Sequence, residues 1–177
     1  MFDQFRPEPA VDRPELLAPA TLDAVRTYLP TAQVIEIDPR LSDTEALCEA
    51  FELPLDIMGN AVLVAGKREG VVHQACCMVL GSHRVDVNGV VRKRLDVHKA
   101  SFLPMDDAVA SSGMEYGGIT PVGLGPAWPI WLDDSIASLP EIMIGSGVRR
   151  SKLILTGADL LSLPTAELVD DLTRPVG

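Results

Sequence analysis

Only three cysteines occur in the 177 residues. That is too few for a disulfide framework and points to a reducing compartment. Aromatic residues are scarce as well, at 5%, which argues against a platform for stacking single-stranded bases. Long apolar stretches are missing. Two long uncharged runs are Gly70–His83 and Gly117–Leu132. The first is too short to cross a bilayer as a helix, and the second is interrupted by Pro121, Pro126 and Pro129, so no membrane partner is expected. The opening residues, MFDQFRPEPA, have neither a basic n-region nor an apolar h-region. No secretory signal is expected, and a cytoplasmic location follows. Positive charge is in short supply: 15 Lys+Arg against 25 Asp+Glu leave a net charge of −10. A general nucleic-acid coat needs a positive field, so DNA is not an expected partner.

What the chain does have is apolar content, 47% against 23% charged residues, enough for one domain with a real core. Residues 1–19, with Pro7, Pro9, Pro14 and Pro19, read as a Pro-rich N-terminal arm, and residues 20–177 as the domain. Thr21 is the expected N-cap of a helix carrying Leu22, Val25 and Leu29 and closed by Pro30. Gln33–Ile37 reads as a strand. Ser42 and Glu45 have capping-box spacing ahead of the stripe Ala46, Leu47, Ala50 and Phe51. Asn60–Gly66 and Val71–Leu80 flank a short polar link ending in Gly70, the pattern of a hairpin. Asp86–Leu95 reads as a turn feeding a basic helix, and Pro104 as the first turn of a helix over Met105–Ser112 that Gly113 ends. Strands are expected at Pro129–Leu132, Glu141–Ile144 and Lys152–Leu155, and a helical turn at Gly157–Leu161. Strands and helices alternate without a strict βαβ beat, so the fold class is α/β, with a mixed sheet and flanking helices.

Strong catalytic signatures are absent. Cys76 and Cys77 are adjacent in a strand, so their side chains should face opposite ways and cannot share one metal. His73, His83 and His98 lack metal-ligand spacing, and no metal or other cofactor is expected. There is no G-x-S-x-G elbow and no complete dinucleotide fingerprint. Two small-residue loops beside strands do stand out: Tyr116-Gly117-Gly118-Ile119-Thr120-Pro121 and Ile144-Gly145-Ser146-Gly147-Val148-Arg149-Arg150. Loops of this kind bring backbone N–H and C=O groups close to a ligand. A separate basic stretch, Arg84, Arg92, Lys93, Arg94 and Lys99 against Asp86 and Asp96, makes residues 84–99 locally +3.

Over roughly residues 20–170 the chain resembles the YbaK/prolyl-tRNA-editing family of aminoacyl-tRNA deacylases. The resemblance is most specific over Met114–Leu124 (MEYGGITPVGL) and Ile142–Leu160 (IMIGSGVRRSKLILTGADL). Gly117–Pro121 resembles the family's G-x-x-x-P loop, Gly145–Arg149 its small-residue loop, and Ala158-Asp159-Leu160 the helix start that follows. The resemblance implies a single α/β domain with a mixed, curved central sheet and a cleft for the aminoacylated 3′ end of tRNA. It implies hydrolysis in trans of the ester on mischarged tRNA carrying a small amino acid such as alanine, serine or cysteine. Water would attack with help from backbone groups and the terminal ribose hydroxyl, and a small pocket would act as a sieve by volume.

Carried onto this chain, the resemblance places Gly117 and Gly118 at the catalytic centre. Tyr116, Ile119, Thr120, Pro121, Gly145, Ser146, Gly147 and Arg149 become substrate-binding residues. By counting, the family's site lysine falls at Asn60, its loop serine at Gly145 and a later acidic residue at Lys152. The cation would then have moved across the cleft from position 60 to Lys152. Arg92, Lys93, Arg94 and Lys99 would meet tRNA phosphates near the acceptor end, with a synthetase or elongation factor supplying further affinity. The alternative is a catalytically weak or inactive member that binds the aminoacyl-tRNA 3′ end or a nucleoside-like ligand, because an amide at position 60 carries no charge. A third reading is a partner-binding relative that uses the Pro-rich arm.

Overall fold

The structure, a computed structural model, describes residues 1–176. Its Pro-rich beginning does not extend away from the body. Residues 1–18 form three short 3-10 turns and the two-residue strand β1 (Glu8–Pro9), and they bury Phe2, Ala10, Leu16 and Leu17. Helix α1 (Pro19–Tyr28) follows, with Ala18 at the N-cap and Pro19 in the first turn. Thr21, expected at the N-cap, is instead inside the helix, because proline's missing N–H and fixed φ let the helix start three residues earlier. After β2 (Gln33–Glu36), helix α2 (Thr44–Phe51) is capped by Asp43, whose carboxylate accepts from the N–H groups of Glu45 and Ala46. The cap expected at Ser42 is therefore one residue further on, where a charged acceptor also meets the positive end of the helix.

Strands β3 (Gly59–Arg68) and β4 (Val71–Leu80) form the expected hairpin, paired from Gly59↔Leu80 to Arg68↔Val71. Its two-residue turn puts both Glu69 (φ +50) and Gly70 (φ +83) in the left-handed region. That geometry matches the right-handed twist of the flanking strands. Beyond it come β5 (His83–Val85), then a π turn at Val87–Val91 running into α3 (Arg92–Arg94). The expected basic helix is thus only its last turn. Next are β6 (Ala100–Phe102), α4 (Met105–Ser112, ended by Gly113 at φ +69), β7 (Ile130–Asp133) and α5 (Asp134–Ala137). The chain finishes with β8 (Ile142–Gly145), β9 (Ser151–Leu155), α6 (Gly157–Leu161), β10 (Ala166–Val169) and β11 (Thr173–Pro175).

These strands make a mixed five-stranded sheet in the order β10-β7-β4-β3-β6, an antiparallel four-stranded sheet β1-β2-β9-β8, and the pair β5-β11. The expected mixed α/β single domain is what forms. Alternation along β4 sends Cys76, Met78 and Leu80 into the core between the two larger sheets, where they meet Ile142, Ile144, Leu153 and Leu155. Ala75, Cys77 and Val79 face the other way, under the 87–97 segment. The outer face of the four-stranded sheet, with Ile35, Met143 and Ile154, is covered by Phe2 and by Leu47 and Cys48 of α2. No described helix is long and apolar enough to cross a membrane.

Candidate active site

Strand pairing puts Lys152 in an unusual place. It lies opposite Gly145 on β8 and Ile35 on β2, so its side chain shares the face of Ile154 that α2 covers. Only 5% of Lys152 is exposed. Its ammonium donates to the Ser42 carbonyl at 2.7 Å, just ahead of α2. Burial draws the Lys152 pKa down from 10.5 to about 8, opposed by the nearby charge of Asp43. The same burial pushes the Cys48 thiol up, against the pull of the Lys152 charge.

Lys152 forms part of the wall of a cleft of about 350 Å³, together with Gly145, Asn60, Tyr116, Gly117 and Ile119. The sequence thus placed six of its site residues around one space. The start of β3 contributes Gly59, Asn60, Ala61 and Val62, and the start of α2 contributes Ser42, Asp43, Thr44 and Glu45. The Thr44 hydroxyl donates to Asn60 Oδ1 at 2.6 Å, which leaves the two N–H donors of the Asn60 amide. The four α2 residues were missed as site residues. Their only signal was a polar S-D-T-E run before an apolar stripe, which is also the ordinary mark of a helix start.

The glycines of the two loops have a packing reason as well as a site reason. Gly117 has φ +90, and a Cβ there would stand 2.9 Å from Ser42 Oγ. At Gly145 a Cβ would meet the Ile119 and Gly118 carbonyl oxygens at 2.4 and 2.5 Å, and at Gly118 it would meet the Val148 backbone at 2.5 Å. The two loops therefore lie backbone against backbone, as only glycine permits. Gly118 is buried behind the wall, its N–H donating to Glu115 O and its carbonyl accepting from Gly147 N at 2.7 Å.

Other residues expected to bind substrate are turned inward. Thr120, Pro121 and Gly147 are buried. Ser146 has no exposed surface, and its hydroxyl bonds to Ser151 Oγ at 2.7 Å. Arg149 is exposed outside the cleft lining, where it donates to Tyr116 O and Pro39 O. Arg92, Lys93, Arg94 and Lys99 do not line the cleft. Arg94 pairs with Glu167 and lies over the Trp131 ring at 5.0 Å, and Arg92 Nε donates to Asn88 O, while Lys93 and Lys99 are exposed.

Chemically, the cleft offers hydrogen-bond donors from Asn60 and a buried lysine whose pKa burial draws down to about 8, with no strong nucleophile among the lining residues. Such a set suits polarising a carbonyl that water attacks. The family described as an aminoacyl-tRNA editing domain matches residues 38–163. A solved structure of a candidate trans-editing enzyme for prolyl-tRNA synthetase superposes with a TM-score of 0.72 at 21% identity, covering 87% of this chain and 97% of that one. A hypothetical protein of known structure gives a TM-score of 0.76 at 14% identity, over 88% and 99% of the two chains. A scaffold used for computational grafting of linear epitopes gives 0.72 at 22% identity, over 90% and 100%. None of the curated proteins compared matches the chain.

Proposed function

The chain belongs to the aminoacyl-tRNA editing domain family, and from that membership we propose that it hydrolyses, in trans, the ester linking a small amino acid to the wrong tRNA. The observation that carries this reading is the convergence of Asn60, Gly117, Gly145 and Lys152 on one cleft of about 350 Å³. A cleft of that size admits a terminal ribose ester that carries a small side chain. The ester carbonyl oxygen receives hydrogen bonds from the Asn60 amide and the Lys152 ammonium. Water adds to the carbonyl carbon, and the tetrahedral intermediate expels the ribose oxygen, which leaves with a proton. The products are the free amino acid and the tRNA with both terminal hydroxyls.

Lys152 serves as the cation of the site, since it is the positively charged residue on the cleft wall. The cleft's other charged groups are Asp43 and Glu45. Asp43 is occupied in capping α2, so Glu45 is the carboxylate left to face the α-ammonium of an aminoacyl group. The phosphates of the acceptor end stay outside, towards exposed basic side chains such as Lys93 and Lys99. The reaction needs no cofactor in this reading, and a synthetase or elongation factor would deliver the substrate.

The test is ester loss from alanyl-, seryl- and cysteinyl-tRNA charged on non-cognate tRNA. Hydrolysis above the spontaneous rate is expected for at least one member. Lys152→Ala is expected to slow it by about 100-fold, the effect of removing one carbonyl-polarising donor, and an unchanged rate would remove Lys152 from the mechanism. Binding of a non-hydrolysable aminoacyl-adenosine without any turnover would overturn the enzyme reading and leave a binding module, with the uncharged Asn60 as its cause.

A further inference from the structure

Residues 1–37 lie outside the segment that the family matches, yet they reach the back wall of the cleft. Strands β8 and β9 end opposite each other at Gly145 and Lys152, and residues 146–150 connect them. Ser151, fully buried, donates its hydroxyl to Leu16 O and shares a hydrogen bond with Ser146 Oγ. Ser146 O in turn accepts from Ala18 N at 3.2 Å. Gly147 has φ +88, and a Cβ there would meet Ala18 Cβ at 2.4 Å and Thr21 Oγ1 at 2.8 Å. The Arg150 guanidinium donates to Glu15 O. The connection is thus tied to residues 15–21 along most of its length. It passes that constraint on, since Gly147 N donates to Gly118 O and Gly147 O accepts from Glu115 N at 2.9 Å, at the foot of the loop that carries Gly117.

Alternation adds the last link. Ser151 shares the core face with Leu153, while its neighbour Lys152 projects to the opposite face and into the cleft. A serine pair buried against a carbonyl adds nothing to apolar packing. Fully satisfied polar networks of this kind select one arrangement of the chain around them.

We propose that residues 15–18 are a positioning strap for the cleft and that Ser151 is its anchor, holding the 146–150 connection so that Gly145 and Lys152 keep their places on the wall. Ser151 touches no substrate and acts through Lys152. The functional consequence rests on the reading of the cleft as the deacylation site; the strap itself has an independent readout.

That readout is an isotope-edited NMR titration of the lysine Cε–Nζ resonances, with Lys152 identified by its loss in Lys152→Met. Wild-type Lys152 is expected to titrate at about 8. In Ser151→Ala the loosened connection admits water, and the midpoint rises by about one unit as burial is relieved. Ser151→Thr, which keeps the hydroxyl, restores it. Ala18→Pro deletes the N–H given to Ser146 at a φ of −63 that proline adopts, and it should raise the midpoint too if Ser151→Ala fails to fold. Val97→Ala, in the cluster on the far face of the five-stranded sheet, lowers the melting temperature and leaves the midpoint in place. Unchanged Lys152 titration in both strap variants would overturn the proposal. A raised midpoint in a protein that hydrolyses none of the mischarged tRNAs would keep the strap and reject the deacylase reading. Where both hold, Ser151→Ala slows ester loss by about 10-fold.

Discussion

A lysine with 5% of its surface exposed costs stability in proportion to the charge it carries there. Lys152 is bonded to one carbonyl, Ser42 O, and faces Asp43 across part of the site, which offsets only part of the desolvation. Its pKa is 10.5 in an unfolded chain and about 8 in the fold. Below pH 8 both states hold the proton and the full penalty stands, on the order of 3 kcal/mol. Between 8 and 10.5 the unfolded chain binds more protons than the folded one, so stability rises with pH across that window. Denaturant unfolding on either side of it should show the rise in wild type and a flatter curve in Lys152→Met. A cost of this kind, borne beside a cleft, is the pattern that functional ionisable groups show.

At the scale of elements, the β3–β4 hairpin shows how one local rule can be met imperfectly. The turn needs left-handed backbone at both central positions, and Gly70 provides it at no steric cost. Glu69 adopts φ +50 with a side chain that disfavours it. Glu69→Asn should stabilise the protein by about 0.5–1 kcal/mol, raising the melting temperature by about 1–4 °C, and calorimetry will check it. A lowered melting temperature would mean that Glu69 makes a compensating contact in solution. Helix starts obey the same logic with more freedom. Asp43 displaces Ser42 as the cap of α2, and α6 carries the capping box, with Thr156 and Asp159 bonding each other's backbone. Ser42 and Asp43 both precede α2, and packing selects which of them caps it.

For the molecule as a whole, a net charge of −10 sets the terms of any encounter with tRNA. Long-range attraction is weak, so phosphate contacts have to come from a few local cations. Arg94 is committed to Glu167 and Trp131, which leaves Arg92, Lys93 and Lys99 of the four residues expected to meet tRNA phosphates. Three phosphate contacts correspond to a slope of about −2 to −3 in log affinity against log salt. Lys93→Ala should shallow that slope by about one while weakening all tRNAs alike, measured by filter binding across a salt series. A slope unaffected by Lys93→Ala would place the tRNA on another face.

The hairpin, the helix over Met105–Ser112 and the mixed α/β class were all legible in the sequence, because hydrophobic period and turn chemistry act over a few neighbouring residues. So were the two glycine loops, since a backbone that must pack against backbone admits no other residue at Gly118 and Gly145. Tertiary structure alone decided which loop residues reach the cleft. Ser146, Thr120 and Gly147 read as ligand contacts in the sequence, yet the fold turns them inward, while Ser42, Asp43, Thr44 and Glu45 arrive from a helix start far away in the chain. It also decided that Lys152 is buried and that the proline-rich beginning of the chain packs behind it. Both outcomes depend on β2 pairing with β9 across more than a hundred residues of sequence, and no local pattern records which faces such pairings bring together.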